Sequence, residues 1–134
     1  MTILVTDTGF GPDDWTHGFE PPSTENGLPR ALDIGPETDP ETIPLHPGLE
    51  MIRVSFPIFA DGRGFGIARL LRLRGFSGRL RAQGHVLADQ FAMARRAGFD
   101  EVEIDETLAA RQPEPSWIAR SDWRSHDYQA RLRG

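Results

Sequence analysis

The sequence predicts an α/β fold, with a small parallel sheet built from consecutive βαβ units over about residues 51–104. Strand-like and helix-like hydrophobic patterns alternate through this stretch, and the links between them are short. Alternation with short links gives right-handed βαβ units and therefore a parallel sheet. A chain of 134 residues has room for one such domain, and its 11 prolines and 14 glycines indicate that much of the remainder is irregular.

Three strands and two helices make up the predicted core. Ile52, Val54 and Phe56 alternate with polar residues, which predicts a strand that ends near Phe59. Apolar residues then recur at helical spacing in two stretches, each ended by a glycine and followed by a short strand. The predicted elements are a helix at roughly 65–74, a strand at 79–82, a helix at 86–97 and a strand at 99–104.

Less regular segments flank this core of residues 51–112. Residues 1–50 begin with a β-like run, Ile3–Val5, and continue as one or two short strands and a long irregular connection, because repeated prolines exclude a long helix. The N-terminal strand, a second copy of the chain or another protein is expected to complete the open edge of the sheet. Residues 113–115 are interpreted as a linker. The aromatic and arginine-rich tail at 113–134 is either a packed final helix or an exposed arm that binds a partner.

The net charge of −5 is the sum of strongly segregated charges. Residues 1–50 hold ten acidic residues and one arginine, a charge of −9, whereas residues 51–99 hold two acidic residues and nine arginines, a charge of +7. All 15 basic residues are arginine, which reflects either genome composition or a need for bidentate donors. The segregation predicts an Arg-rich surface that an acidic protein partner would meet. The acidic total argues against nucleic-acid binding.

Composition also excludes several classes of chemistry. The chain has no cysteine, which removes disulfides, thiolate metal sites and cysteine nucleophiles. No apolar run approaches the roughly 18–20 residues that span a bilayer, and the N-terminal residues lack the pattern of a signal peptide. We therefore expect a cytoplasmic protein without a membrane segment. No cofactor is evident from the sequence.

The loops after residues 59, 83 and 104 are the candidate site, because ligands of parallel α/β sheets gather beyond the carboxyl ends of the strands. The first loop carries Gly62, Gly64 and Gly66, which with Arg63 are candidates for an oxyanion cradle. Alternatively, these glycines only make a tight turn and Asp61 caps the helix. The Gly-x-Gly-x-Gly spacing fails the dinucleotide fingerprint, and there is no P-loop lysine.

The second loop adds polar residues near the start of the second helix. Arg81 on the preceding strand and Gln90 on the helix join the glycine loop as candidate ligand-binding residues, and Asp61 and Asp89 are candidates for proton transfer. Alternatively, Arg81, Asp89 and Gln90 form a structural ion-pair network. His85 stands four residues before Asp89, a spacing at which the two side chains can pair on one helix face. Histidine spacing elsewhere predicts no metal site.

Several motifs together resemble one bacterial family. They are Phe-Pro-Ile-Phe-Ala-Asp-Gly-Arg-Gly-Phe at 56–65, Gly-Arg-Leu-Arg-Ala-Gln-Gly at 78–84, Asp-Gln at 89–90 and Arg-Ala-Gly-Phe-Asp at 96–100. This combination resembles the family named domain of unknown function 934. Its members are often labelled oxidoreductases of sulfite reduction because they are encoded beside assimilatory sulfite reductase. The sequence departs from the family pattern at Ser55, Ile58 and His85, where Asp, Lys and Asp are usual.

The resemblance and the charge pattern lead to three hypotheses for function. In the first, this is an accessory protein of assimilatory sulfite reduction that binds sulfite reductase or its electron donor and needs no cofactor of its own. In the second, it is an enzyme that binds a small oxyanion or phosphate at the glycine loop, using the polar residues shared with the family: Asp61, Arg63, Arg81, Asp89 and Gln90. In the third, it is a structural or regulatory homo-oligomer. The sequence does not decide whether the protein is an enzyme.

Overall fold

A computed structural model describes residues 2–22 and 29–123 and confirms the α/β fold. The strands are β1 (Thr2–Thr6), β2 (Gly9–Gly11), β3 (Ala31–Ile34), β4 (Met51–Phe56), β5 (Arg79–Gly84) and β6 (Glu101–Asp105). The helices are α1 (Arg63–Leu73), α2 (Phe91–Ala97), α3 (Glu106–Arg111) and α4 (Glu114–Ile118), with 3-10 turns at Pro40–Thr42 and Ala88–Gln90. Within the described ranges, no helix is long and apolar enough to cross a membrane.

These strands form one sheet in the order β2-β1-β6-β5-β4-β3. Strands β3 to β6 are parallel, whereas β1 runs antiparallel to β6 and β2 antiparallel to β1. The three strands and two helices predicted for the core are all present, although β4 ends at Phe56 rather than near Phe59. Of the three ways to complete the sheet edge, the structure shows the N-terminal strand, which pairs with β6 from Thr2 to Val5.

The sheet is larger than the sequence predicts because β3 adds a fourth parallel strand inside the segment expected to be irregular. β3 has only four residues, Ala-Leu-Asp-Ile, which is too short a run to show a periodic pattern. Its register places Leu32 beside Ile52 and Asp33 beside Arg53 on β4. The strand is therefore identified by its partner rather than by its own sequence.

One face of the sheet is apolar and packs against the helices. Alternate residues of β4, β5 and β6 point to this face, including Ile52, Val54, Leu80 and Val102, and each of them is fully buried. α1 presents Ile67, Ala68 and Leu71 to it, and α2 presents Phe91, Ala94 and Ala97. This two-layer packing contains the hydrophobic core.

The opposite face of the sheet is charged and is crossed by residues 12–20, which we call the crossing segment. This segment leaves β2 at one edge of the sheet and reaches Glu20, whose backbone N–H donates to the Ala31 carbonyl oxygen (3.0 Å) at the other edge. The Asp33 N–H donates back to the Glu20 carbonyl oxygen (2.9 Å). The crossing segment thus covers charged side chains that the helices do not reach.

The C-terminal tail packs as a helix as far as it is described. Trp117 on α4 is buried, lies edge-on to Phe91 with ring centroids 5.9 Å apart, and donates its indole N–H to the Gln112 carbonyl oxygen (2.7 Å). The linker interpretation of residues 113–115 is wrong, because Pro113 is the N-cap residue of α4 and Pro115 lies in its first turn, where proline is tolerated. The remainder of the predicted tail, residues 124–134, lies outside the described residues.

Candidate functional site

The glycine loop lies between β4 and α1, but its arginine is already paired. Arg63 donates from Nε to Asp61 Oδ1 (3.0 Å) and from Nη2 to Asp61 Oδ2 (2.7 Å). The backbone N–H of Arg63 also donates to Asp61 Oδ1 (3.2 Å). These hydrogen bonds lower the pKa of Asp61 and raise that of Arg63. In this geometry the guanidinium fork holds a carboxylate of the same chain, and Asp61 is ionised at neutral pH.

The three glycines of this loop have different environments. Gly62 is the N-cap residue of α1, and Gly64 and Gly66 lie in the first turns of that helix. A Cβ on Gly64 would come within 2.5 Å of Phe56 Cζ, so this position is glycine because the helix packs directly on a buried ring. A Cβ on Gly66 would meet nothing within 4 Å. Packing therefore accounts for Gly64, whereas ligand binding by the loop stays a prediction.

Arg81 lies at the centre of the charged face and is fully buried there. Its Nε donates to Glu101 (2.6 Å), and its Nη1 donates to Glu103 (2.9 Å) and lies 3.0 Å from Asp13 of the crossing segment. Burial disfavours the charged guanidinium, but the hydrogen bonds and charges of Glu103, Glu101 and Asp13 outweigh it and raise its pKa. Arg81 is thus one member of an ion-pair network across the sheet.

The network extends to both sides of Arg81. Arg53 on β4 pairs with Asp33 on β3 (2.7 Å) and Glu103 on β6 (3.1 Å). Arg79 on β5 pairs with Glu101 and with Asp14, each at 2.8 Å. Two aromatic rings of the crossing segment cover these cations. The Cζ atom of Arg53 lies 3.8 Å from the centroid of the Phe19 ring, and the Cζ atom of Arg79 lies 6.0 Å from the centroid of the Trp15 ring.

Asp89 and Gln90 do not join Arg81, so the predicted three-residue network is wrong. Gln90 accepts from the Leu87 N–H (2.8 Å) and donates to the Phe59 carbonyl oxygen (3.1 Å), which ties the loop after β4 to the start of α2. Asp89 is exposed on the helical side of the sheet and forms no hydrogen bond or ion pair to Arg81 or His85. His85 instead stacks edge-on against Phe59.

A cavity of about 260 Å³ lies at the carboxyl ends of β5 and β6, and we call it the carboxyl-end cavity. All three loops that the sequence analysis singled out contribute to its wall. α3 closes one side of it. The lining residues are Thr2, Phe59, Gln83, Gly84, His85, Glu103, Ile104, Asp105, Thr107, Leu108 and Arg111.

The predicted ligand-binding and proton-transfer residues do not line this cavity, whereas His85, which the sequence suggested could pair with Asp89, does. The rule that places ligands beyond strand ends does identify its location. It misses Arg111, because that side chain reaches the cavity only through the packing of α3 against β6 and β1. His85 and Gln83 lie at one of the loops predicted to form the site, but only the folded structure shows that they line a cavity.

A second, more open groove of about 930 Å³ lies at the amino ends of the strands. Its arginines are committed to the fold. Arg72 donates to the carbonyl oxygens of Gly98 and Gly78 and to the Asp100 carboxylate (2.8–3.0 Å), and Arg95 pairs with Asp7 (3.0 Å). Arg72 thereby joins the end of α1 to the end of α2.

Most of the arginines at 51–99 are therefore occupied within the chain, contrary to the expectation of an Arg-rich docking surface. Six of them pair with acidic residues, and Arg74 binds the carbonyl oxygens of Pro40 and Ile43. Arg69 and Arg96 have no hydrogen-bond or ion-pair partner among residues 2–22 and 29–123. The segregation of charge along the sequence is largely neutralised by contacts across the sheet. In the same ranges, no group of three or more His, Asp or Glu side chains is arranged to hold a metal ion.

The fold and its side-chain network define a two-layer α/β protein with helices on one face of the sheet and an arginine–carboxylate network on the other. The chain belongs to a bacterial protein family of unknown function, DUF934, whose model matches residues 31–134. This match confirms the family resemblance, and it begins after β1, β2 and the crossing segment. No curated protein and no solved structure matches the chain.

Proposed function

We propose that this protein is an accessory protein of assimilatory sulfite reduction that binds sulfite reductase or its electron donor. The link to sulfite reduction comes from the label attached to members of the family. The observation that carries the docking role is an exposed surface on the outer side of α1 and α2, which we call the helix patch. Its residues are Arg69, Leu70 and Leu73 on α1, and Met93 and Arg96 on α2.

Three apolar side chains of the helix patch are exposed to solvent. Leu73 is 76% exposed, Met93 52% and Leu70 41%. Ile67, Ala68 and Leu71 of α1 face the sheet, so Leu70 and Leu73 lie on the opposite side of the helix. Because α1 packs against α2, their outer sides form one surface. Grouped exposed apolar side chains mark interaction surfaces, and methionine and arginine are enriched in them.

The charges on the helix patch indicate an acidic partner. Arg69 and Arg96 are the arginines of this surface, and the described part of the chain supplies no carboxylate to either of them. A partner that places carboxylates beside them would gain charge-assisted hydrogen bonds and electrostatic steering. The proposed contact surface therefore carries two arginines, unpaired among the described residues, beside an apolar centre, rather than all nine arginines of residues 51–99.

Affinity capture tests this proposal. The tagged full chain is used as bait in a native host grown on sulfate, and the captured proteins are identified by mass spectrometry. We expect sulfite reductase or its electron donor with the wild-type chain and a loss of about tenfold or more with Leu73→Asp or with Arg69→Glu combined with Arg96→Glu. Ile58→Asp is the matched control, because Ile58 is 59% exposed but lies outside the helix patch.

Three outcomes contradict the proposal. Capture of neither sulfite reductase nor its donor removes the accessory role. Capture that survives the patch variants removes the helix patch as the contact surface. The third contradicting outcome is a wild-type dimer in size-exclusion chromatography that Leu73→Asp converts to a monomer. This result would show that the helix patch binds a second copy of the chain.

A further inference from the structure

The carboxyl-end cavity is a second candidate site, and none of its lining residues belongs to the helix patch. Its volume, about 260 Å³, corresponds to roughly nine waters of bulk liquid. This is just below the usual range for ligand pockets, which is about 300–1,000 Å³. The cavity therefore fits a small metabolite and is too small for a nucleotide or a peptide.

The acidic residues of the cavity wall are already engaged. Glu103 accepts hydrogen bonds from Arg53 (3.1 Å) and from Arg81 (2.9 Å), both on the charged face of the sheet. Asp105 is the N-cap residue of α3 and accepts from the Leu108 N–H (2.8 Å). Both carboxylates thus have hydrogen-bond donors from the protein.

Three donor side chains of the wall, in contrast, have no partner among the residues that the structure describes. Arg111, Gln83 and His85 make no side-chain hydrogen bond or ion pair within the described ranges. Arg111 is always charged, and its planar fork matches the two oxygens of a carboxylate. The amide of Gln83 and the imidazole of His85 each offer a further N–H group to a ligand oxygen.

The rest of the wall combines Thr2 and Thr107 with three apolar side chains. Phe59 stacks edge-on against His85 with centroids 5.1 Å apart, and the side chains of Ile104 and Leu108 complete this surface. Ile104 and Leu108 are already buried, whereas Phe59 is partly exposed. A carbon skeleton would cover the exposed part of the Phe59 ring, whereas an inorganic oxyanion would leave it facing water. From these observations we propose that the carboxyl-end cavity binds a small organic carboxylate, with its carboxylate on Arg111 and its carbon skeleton against Phe59.

Titration calorimetry and amide chemical-shift mapping test this assignment on the full chain. The organic probe is sodium propionate, and sodium sulfate and sodium phosphate are the inorganic probes, all at millimolar concentration. We expect propionate to bind, with shifts confined to residues 58–60, 83–86 and 104–111, and Arg111→Gln to weaken it by about tenfold or more. Because Arg111 has no ion-pair partner in the described structure, the melting temperature should stay unchanged.

Two control variants separate this cavity from other cationic positions. Arg120→Gln removes an exposed arginine that lies outside the cavity, and Arg63→Ala removes the arginine of the glycine loop. Neither should change propionate affinity. The proposal is overturned if propionate does not bind, if only the inorganic ions bind, or if Arg63→Ala rather than Arg111→Gln abolishes binding. None of these results bears on capture of a partner by the helix patch.

Discussion

Arginine residues perform three different tasks in this protein. Arg81 forms ion pairs inside the sheet network, and Arg72 binds carbonyl oxygens at helix ends. Arg69, Arg96 and Arg111 have no partner in the part of the chain that the structure describes. A guanidinium has five donors in a fixed plane and can contact two or three acceptors at once, which a lysine ammonium does less well. The use of arginine alone therefore suits a fold with many shared acceptors.

Loss of Arg81 should be strongly destabilising. Arg81→Met would leave Glu101 and Glu103 buried without their central cation, and removal of one partner of a buried pair costs about 3–5 kcal/mol. Urea unfolding followed by circular dichroism measures this change. Arg69→Ala is the control, since that side chain is exposed and should alter the free energy of unfolding by less than about 0.5 kcal/mol. Equal effects from the two variants would show that the network contributes little.

Two glycines of α1 should respond in opposite directions to the same substitution. Gly64→Ala forces a Cβ against the buried Phe56 ring and should lower the free energy of unfolding by about 1–3 kcal/mol. Gly66→Ala adds a methyl group in open space within a helix and should raise it by about 0.5–1 kcal/mol. Thermal unfolding of both variants tests the pair. Equal destabilisation would mean that Gly66 also has a close contact.

At the scale of the elements, the crossing segment joins the two edges of the sheet. It has little regular structure of its own, and it is held by ion pairs of Asp13 and Asp14 and by the ring of Phe19 over Arg53. The segment closes the charged face without adding a layer of helices. Its stability therefore depends on side chains of the sheet.

Phe19 provides a direct test of this dependence. Phe19→Ala removes the cation–π contact with Arg53 together with apolar surface and should cost about 1–2 kcal/mol. Phe19→Leu keeps most of the apolar surface and loses only the ring, so it should cost less. Limited proteolysis within residues 12–20 is expected to follow the same order. Equal losses for the Leu and Ala variants would assign the contribution of Phe19 to its ring over Arg53 and would contradict a contribution from apolar burial.

α4 is the other element that the sequence left undecided, and its Trp117 is part of the core. Trp117→Ala should lower the free energy of unfolding by about 3–5 kcal/mol, because the indole fills a closed space against Phe91. For the same reason, a chain truncated after Gln112 should not fold cooperatively. Differential scanning calorimetry of both proteins measures this. If the truncated chain unfolds at the same temperature as the full chain, the tail is not part of the core and the binding-arm interpretation is favoured.

At the scale of the whole molecule, the charges of the N-terminal segment neutralise those of the core. Asp7, Asp13, Asp14 and Asp33 each pair with an arginine at least 20 positions further along the chain. The formal charge of −5 therefore says little about the surface. Among the described residues of the helices, the arginines without a partner are Arg69 and Arg96 in the helix patch and Arg111 at the carboxyl-end cavity.

This pairing predicts a loss of stability in acid. The hydrogen bond from Arg79 lowers the pKa of Asp14 below its ordinary value of about 3.8. A carboxyl group with a lower pKa in the folded state stabilises the fold above that ordinary value, and the contribution is lost as the pH falls through the folded pKa. The urea concentration at the midpoint of unfolding should therefore decrease as the pH falls below about 4. The Asp14→Asn variant should be less stable than the wild type at pH 6, and its midpoint should decrease less in acid. An identical pH profile for the variant would show that Asp14 does not contribute.

Sequence patterns are enough to predict the βαβαβ core, the family and the location of a cavity beyond the strand ends. Each of these depends on local information: a period of two or 3.6 residues, a short motif, or the rule for parallel sheets. The folded chain is needed to show that β3 is a strand, that Arg81 pairs with Glu101 and Glu103, and that Arg111 lies at the cavity. These contacts depend on the lateral order of the strands and on how α3 folds back. Residues 20 or more positions apart become partners only through the packing of the whole chain, and no local pattern encodes that packing.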